Sequence, residues 1–421
     1  TMLIEAKDLS AYLDIIQSEE HLLAPWFEAI EAREFRNQAR VLQAFQECRV
    51  SEYHLHGSFG YGHDDIGRET LETVYARVFG AEAALVRPQV ASGTHAITAA
   101  LFGMLRPGDE LLFITGHPYD TLEEVVGVRG EGNMGSLRDW GVGYREVDIR
   151  DYNGPADYPW QDWLHANTKV VMIQRSRGYS WRSSIPVDLI GRIVADVKAL
   201  RPEMLVFVDN CYGEFVEERE PTAVGADLIA GSLIKNPGGG LVPTGGYIAG
   251  REDLIDKVAC RVFAPGMVRS SGATMGFTRL AFQGFFLAPH VVTQALKGGI
   301  LAAHMLSRQG FAVSPTAEEA RTDIIQAIKF GSREKLIAFC RAIQRACPID
   351  AFVTPEPYRT PGYHDEVIMA AGTFAEGSTI ELSADGPLRE PYVGYLQGGL
   401  SYAHCKLGVA SILAYFEAEA G

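Results

Sequence analysis

The chain opens with apolar positions near the helical period. Leu9, Leu13 and Ile16 share one face, and residues 28–50 are rich in Ala, Glu, Gln and Arg, so the first fifty residues are expected to be helical. Gly60 and Gly62 then break the pattern. From Thr70 onward, helical periodicity alternates with short apolar runs bounded by Gly and Pro, at residues 84–86, 110–114, 170–173, 205–208 and 246–249. Such alternation predicts an α/β fold. Because the runs are apolar on both faces, parallel strands covered by helices are expected.

After residue 300 the texture changes to an amphipathic helix at 332–347, short strands at 367–371 and 379–382, and a helix from 402 to the end. The organisation expected is an N-terminal helical segment (1–58), a large domain with a mostly parallel sheet (59–292) and a smaller C-terminal α+β domain (293–421). The apolar stretch 280–306 is interrupted by Gln283, His290, Gln294 and Lys297. A membrane span needs about 20 mainly apolar residues, so this stretch reads as a buried or interfacial helix.

Composition narrows the function classes. The 421 residues are 47% hydrophobic and 22% charged, as in soluble globular proteins. Lys plus Arg number 38 against 53 Asp plus Glu, a net charge of −15 that repels nucleic acid and anionic membranes. The six cysteines form no Cys-x-x-Cys pair, so neither a disulfide framework nor a zinc site is signalled, and a cytoplasmic location is expected. Acidic and polar residues interrupt every apolar run in the first thirty residues, so no export signal is expected.

Four constellations could carry chemistry. Lys235 lies between Ser232 and the glycine-rich run Pro237-Gly238-Gly239-Gly240, where lost solvation would lower its pKa and free the amine for a Schiff base; an exposed loop lysine is the plainer alternative. Asp209 ends an apolar strand, and ligands of doubly wound sheets bind beyond such ends, although a strand-end Asp also caps turns. Ser92-Gly93-Thr94-His95 leads into an apolar helix, which makes either an anion site or an ordinary N-cap; Tyr119, after the next strand, is placed to stack on a flat ring or simply to pack. Gly60-Tyr61-Gly62-His63-Asp64-Asp65 is a polar glycine loop. Its neighbouring carboxylates point in different directions, so recognition is expected there rather than a metal.

Together these residues stand in the order of a fold type I pyridoxal-phosphate enzyme. The runs from Gly60 through Arg68, Val208 through Glu214, Gly231 through Gly240, Phe282 through His290 and Ile380 through Pro387 resemble the family named for aluminium resistance, a branch similar to methionine γ-lyase and the cystathionine lyases. The resemblance covers nearly the whole chain. It implies pyridoxal 5′-phosphate bound through Lys235, with Asp209 on the ring nitrogen, Ser92, Gly93, Thr94 and Ser232 on the phosphate, and Tyr119 on the ring. It also implies a homodimer or homotetramer with shared sites, in which Tyr61 and Arg68 serve the neighbour's cofactor.

One departure is His63, where the family pattern has a second tyrosine; it bears on the substrate, because a histidine changes charge near neutral pH. Arg177 and Arg389 are the candidates for a substrate carboxylate. The activity implied is γ- or β-elimination on an L-amino acid, with carbon–sulfur cleavage of a methionine- or cystathionine-like substrate expected. Loss of halide from an unusual amino acid and aminotransfer are the alternatives. Lys235, Tyr119 and Asp209 are the catalytic candidates.

Overall fold

The computed structural model describes residues 6–149 and 158–420. The fold is mixed α/β around two sheets. The first contains β1 (Ala83–Arg87), β2 (Glu110–Phe113), β3 (Gly143–Glu146), β4 (Thr168–Gln174), β5 (Leu205–Asp209), β6 (Leu228–Ser232) and β7 (Gly246–Gly250), in the order β1-β7-β6-β5-β4-β2-β3. Every residue of β1, β2, β5, β6 and β7 is buried. Each enclosed aliphatic side chain contributes about 1.5–3 kcal/mol, which explains runs without polar alternation.

The sheet is not wholly parallel. β7 pairs antiparallel with both β1 and β6. Burial on both faces dictates an enclosed strand but not its direction; the connection from β6 to β7 holds only the single turn Asn236–Gly238, not the helix that usually carries the chain back between parallel strands.

The second sheet is antiparallel, in the order β10-β11-β12-β9-β8, from β8 (Ala312–Ser314), β9 (Gln326–Lys329), β10 (Val367–Ala370), β11 (Ser383–Pro387) and β12 (Val393–Gln397). The strand expected at 379–382 instead begins at Ser383. The Glu381 carboxylate accepts from the Phe374 and Ala375 amides, fixing a loop where a strand was expected. Helix Arg333–Ala346 packs on this sheet, and helix Tyr402–Ala420 packs on that helix and on helix Phe277–Arg308. Helix Phe277–Arg308 passes through residue 292 without a break and joins the two sheets. It is long and apolar enough to cross a membrane by composition alone, but most of that apolar surface is buried in the protein core.

Local signals fix the ends that matter for function. Ser92 caps helix Gly93–Met104 by accepting from the His95 amide at 3.0 Å, and Asp65 caps helix Ile66–Phe79 by accepting from the Arg68 amide at 2.9 Å.

Candidate active site

The carboxyl ends of β4, β5 and β6 and the N-terminus of helix Gly93–Met104 open onto a cavity of about 300 Å³, closed on its far side by β10, β11 and β12. Seven predicted residues line it: Ser92, Gly93, Thr94, Tyr119, Asp209, Ser232 and Lys235. Tyr61, His63, Arg68, Arg177 and Arg389 do not.

Ser92, Gly93 and Thr94 form the first turn of a twelve-residue helix, where free amide groups and the helix dipole favour an anion. A Cβ on Gly93 would sit 3.3 Å from both Cys211 Sγ and Ser232 Cβ, so the glycine lets the helix end approach β6 closely. The Thr94 hydroxyl lies 3.0 Å from that of Thr121.

Asp209 ends β5, is 7% exposed, and accepts from the Cys211 amide at 3.1 Å. Burial raises its pKa, and Lys235 works in the opposite direction. Lys235 follows β6, with Nζ 4.0 Å from the centre of the Tyr212 ring. The depressed amine pKa expected from desolvation is not found. Burial does favour the neutral amine, but Cys211, Tyr212 and Asp209 outweigh it and the pKa is raised.

Tyr119 precedes helix Asp120–Val126 and its N–H donates to Gln174 Oε1 at 3.1 Å. Gly178 has φ +55° and passes so close to the Tyr119 ring that a Cβ would meet Cδ2 at 3.1 Å. The Tyr119 hydroxyl is 2.9 Å from that of Tyr363, a residue from the C-terminal part of the chain. Burial pushes both phenols up, Tyr119 well above its ordinary value and Tyr363 to about 12.

The remaining candidates have other surroundings. Arg68 is fully buried and donates to the carbonyls of Gly62 and Gly272 of its own chain, so its guanidinium fastens the glycine loop. On that loop Tyr61 is 77% exposed and stacks on His63, whose Nδ1 is 3.2 Å from the Ser270 carbonyl. Arg177 is buried behind the cavity wall and donates to Ser314 Oγ at 3.2 Å. Arg389 is exposed and pairs with Asp365 at 2.9 Å.

Sequence reasoning did not single out Gln174, Tyr179, Tyr212, Tyr363 and Asp385, which also line the cavity. Tyr212 and Asp385 lie inside the runs 208–214 and 380–387 that carry the resemblance, and Gln174 to Tyr179 follows the apolar run 170–173, where a segment over the cofactor face is expected, while nothing near Tyr363 signals a site.

Residues 12–417 match the methionine gamma-lyase family. Over 383 residues, 91% of each chain, the sequence is 56% identical to protein YnbB of Bacillus subtilis. A solved structure described as a carbon-sulfur lyase involved in aluminum resistance, from Clostridium novyi NT, superposes with a TM-score of 0.92 at 47% identity over 98% of each chain. The pyridoxal-5′-phosphate dependent protein YhfS of Escherichia coli shares the fold at 17% identity, with a TM-score of 0.61 over 93% of this chain and 97% of the other.

Proposed function

The chain belongs to the methionine gamma-lyase family and is a lyase of the carbon–sulfur type, and on that premise we propose that it uses pyridoxal 5′-phosphate to eliminate a sulfur leaving group from the γ- or β-carbon of an L-amino acid. One observation carries the reading: Lys235, Asp209, Tyr119 and the turn Ser92-Gly93-Thr94 meet in one cavity. The residues fit the cofactor. Gly93 lets the free amides of the helix N-terminus pack beside Ser232, where a phosphate would be held, and a buried Asp209 with a raised pKa calls for a cation such as a protonated ring nitrogen.

When bound, the cofactor supplies an aldehyde for an amine and an electron-accepting ring that stabilises negative charge at Cα. Ser92, Gly93, Thr94 and Ser232 would hold the phosphate, and Tyr119 would lie against the ring. Asp209 would keep the ring nitrogen protonated. Lys235 moves the proton at Cα; for γ-elimination Lys235 or Tyr119 moves a second proton at Cβ. The tyrosines that wall the cavity exclude water from these steps.

A homo-oligomer with shared sites completes this reading. Lys235 is the one cationic side chain lining the cavity among the described residues, so a phosphate calls for further donors from outside the chain. The glycine loop carries Phe59 and Tyr61, 79% and 77% exposed, which suits a neighbour-facing surface. His63 on the same loop is the candidate through which the substrate preference would differ. Six free cysteines support a reducing, cytoplasmic setting.

The test is incubation of the purified protein with cystathionine and with methionine. A near-visible band from the lysine-bound cofactor and release of ammonia plus a keto acid are expected, and Lys235→Ala should lose the band and more than about a thousandfold of the activity. A protein with no such band after addition of the cofactor would overturn the proposal.

A further inference from the structure

Asp385 has no part in the reaction as described above, yet it lines the same cavity. It stands on β11, in the wall opposite the Asp209 end of β5. Its Oδ2 accepts from Gln397 Nε2 at 3.3 Å. The Tyr179 hydroxyl lies beside the carboxyl and favours its ionised form, and neither Oδ1 nor that hydroxyl makes a full hydrogen bond among the described residues. Among the described residues Lys235 is the one cation acting on it.

The elimination chemistry removes that cation from Asp385, because the lysine amine serves the cofactor and the Cα proton, while Asp209 is matched to the ring nitrogen. A carboxylate would then stand unpaired in a tyrosine-walled cavity, a costly arrangement unless the ligand supplies a cation. We propose that Asp385 is a specificity residue that pairs with an ammonium on the departing arm of the substrate, so that a thioether carrying a distal amine is preferred over one ending in an alkyl group. The proposal rests on the elimination reading and deepens it.

The titration behaviour agrees with this role. Burial pushes the Asp385 carboxyl up to about 7, against Gln397, Tyr179 and Lys235. Tyr119, Tyr179, Tyr212, Tyr363 and Tyr395 also face it, as does Cys340, and burial keeps all six protonated through neutral pH. Asp385 is therefore the group among these whose charge changes near neutrality.

The experiment compares S-(2-aminoethyl)-L-cysteine with S-propyl-L-cysteine on the holoenzyme; the two have arms of equal length, one ending in an ammonium and the other in a methyl. Both kcat/KM and affinity by calorimetry are measured between about pH 5.5 and 9, below the amine's own titration. The aminoethyl compound should be favoured by about tenfold or more at the alkaline end, the worth of one hydrogen bond to a charged group. The preference should decline as pH falls and Asp385 takes up its proton. Titration of Lys235 affects both compounds and cancels in the ratio. Asp385→Asn should bring the ratio close to one at every pH, and Asp385→Glu should keep part of it. A wild-type ratio near one, or one that does not change with pH, overturns the proposal even if the variant does not fold. Failure of both compounds to yield a keto acid would count against the elimination reading, while the calorimetric ratio would still decide the role of Asp385.

Discussion

The hydroxyls of Tyr119 and Tyr363 meet at 2.9 Å across the cavity, joining a loop beyond β2 to a loop that precedes β10. With both phenols held protonated by burial, one donates to the other and the second keeps its own O–H for the cavity near neutral pH. Tyr363→Phe should remove about 1 kcal/mol of positioning and lower kcat several-fold. Tyr119→Phe, which also loses a proton carrier, should lower kcat by about a hundredfold. Steady-state rates of keto-acid formation separate the two, and equal losses would contradict the division of roles.

Asp209→Asn replaces a buried carboxylate by a neutral amide of the same shape. Burial raises the pKa of Asp209, so the ionised group costs stability in the absence of a cation and gains it back when a protonated ring nitrogen is present. The variant should therefore melt no lower than the wild type without cofactor, gain less on addition of pyridoxal phosphate, and turn over about two orders of magnitude more slowly. Paired thermal melts with and without cofactor check the sign; an equal cofactor-induced gain in both proteins would refute it.

Much of this arrangement is legible in the sequence because burial on two faces leaves a plain mark. The apolar runs at 84–86, 170–173, 205–208 and 246–249 all lie in strands, and the run at 110–114 does so except for Ile114. Direction leaves no such mark, since an antiparallel β7 and a parallel one bury the same side chains. β3 was not visible, because its residues are exposed or half-buried and form no apolar run. The pKa direction of Lys235 was misjudged for a related reason. Desolvation can be inferred from neighbours in sequence, but two of the opposing groups, Cys211 and Tyr212, reach the amine only through pairing of β5 with β6. Tyr363 is more than two hundred positions from its partner, a separation only the fold can close.

Glu214 lies beneath the Lys235 turn, fully buried. Its Oε1 accepts from the Tyr247 hydroxyl at 2.7 Å, its backbone carbonyl accepts from Asn236, and Oε2 has no partner. Burial pushes the carboxyl up to about 8. The folded protein thus holds a proton that the unfolded chain releases near the ordinary value of 4.5, and stability declines as pH rises through the window from about 4.5 to 8. Glu214→Gln keeps a neutral side chain of the same shape and removes that decline. Its melting temperature should exceed that of the wild type by a few degrees, with a gap that widens up to about pH 8. A gap that stays constant across the window would refute the assignment.

Tyr61 offers a test of site sharing that does not depend on knowing the natural substrate. Its side chain does not line the cavity of its own chain and is largely exposed, whereas Lys235 lies inside it. If Tyr61 serves a neighbour's cofactor, Tyr61→Ala and Lys235→Ala fail in different subunits of the same site. In a dimer combining them, the subunit that keeps Lys235 receives an intact Tyr61 from its partner, while the other site lacks its lysine. Random reassociation makes half of the dimers mixed, each with one complete site out of two, so the mixture should recover about a quarter of wild-type activity. Each variant alone should stay low, and activity should appear only after dissociation and reassociation. A mixture no more active than the mean of the separate variants would place Tyr61 outside the neighbour's site, and the phosphate would then have to be held by the residues around Ser92 and Ser232 alone.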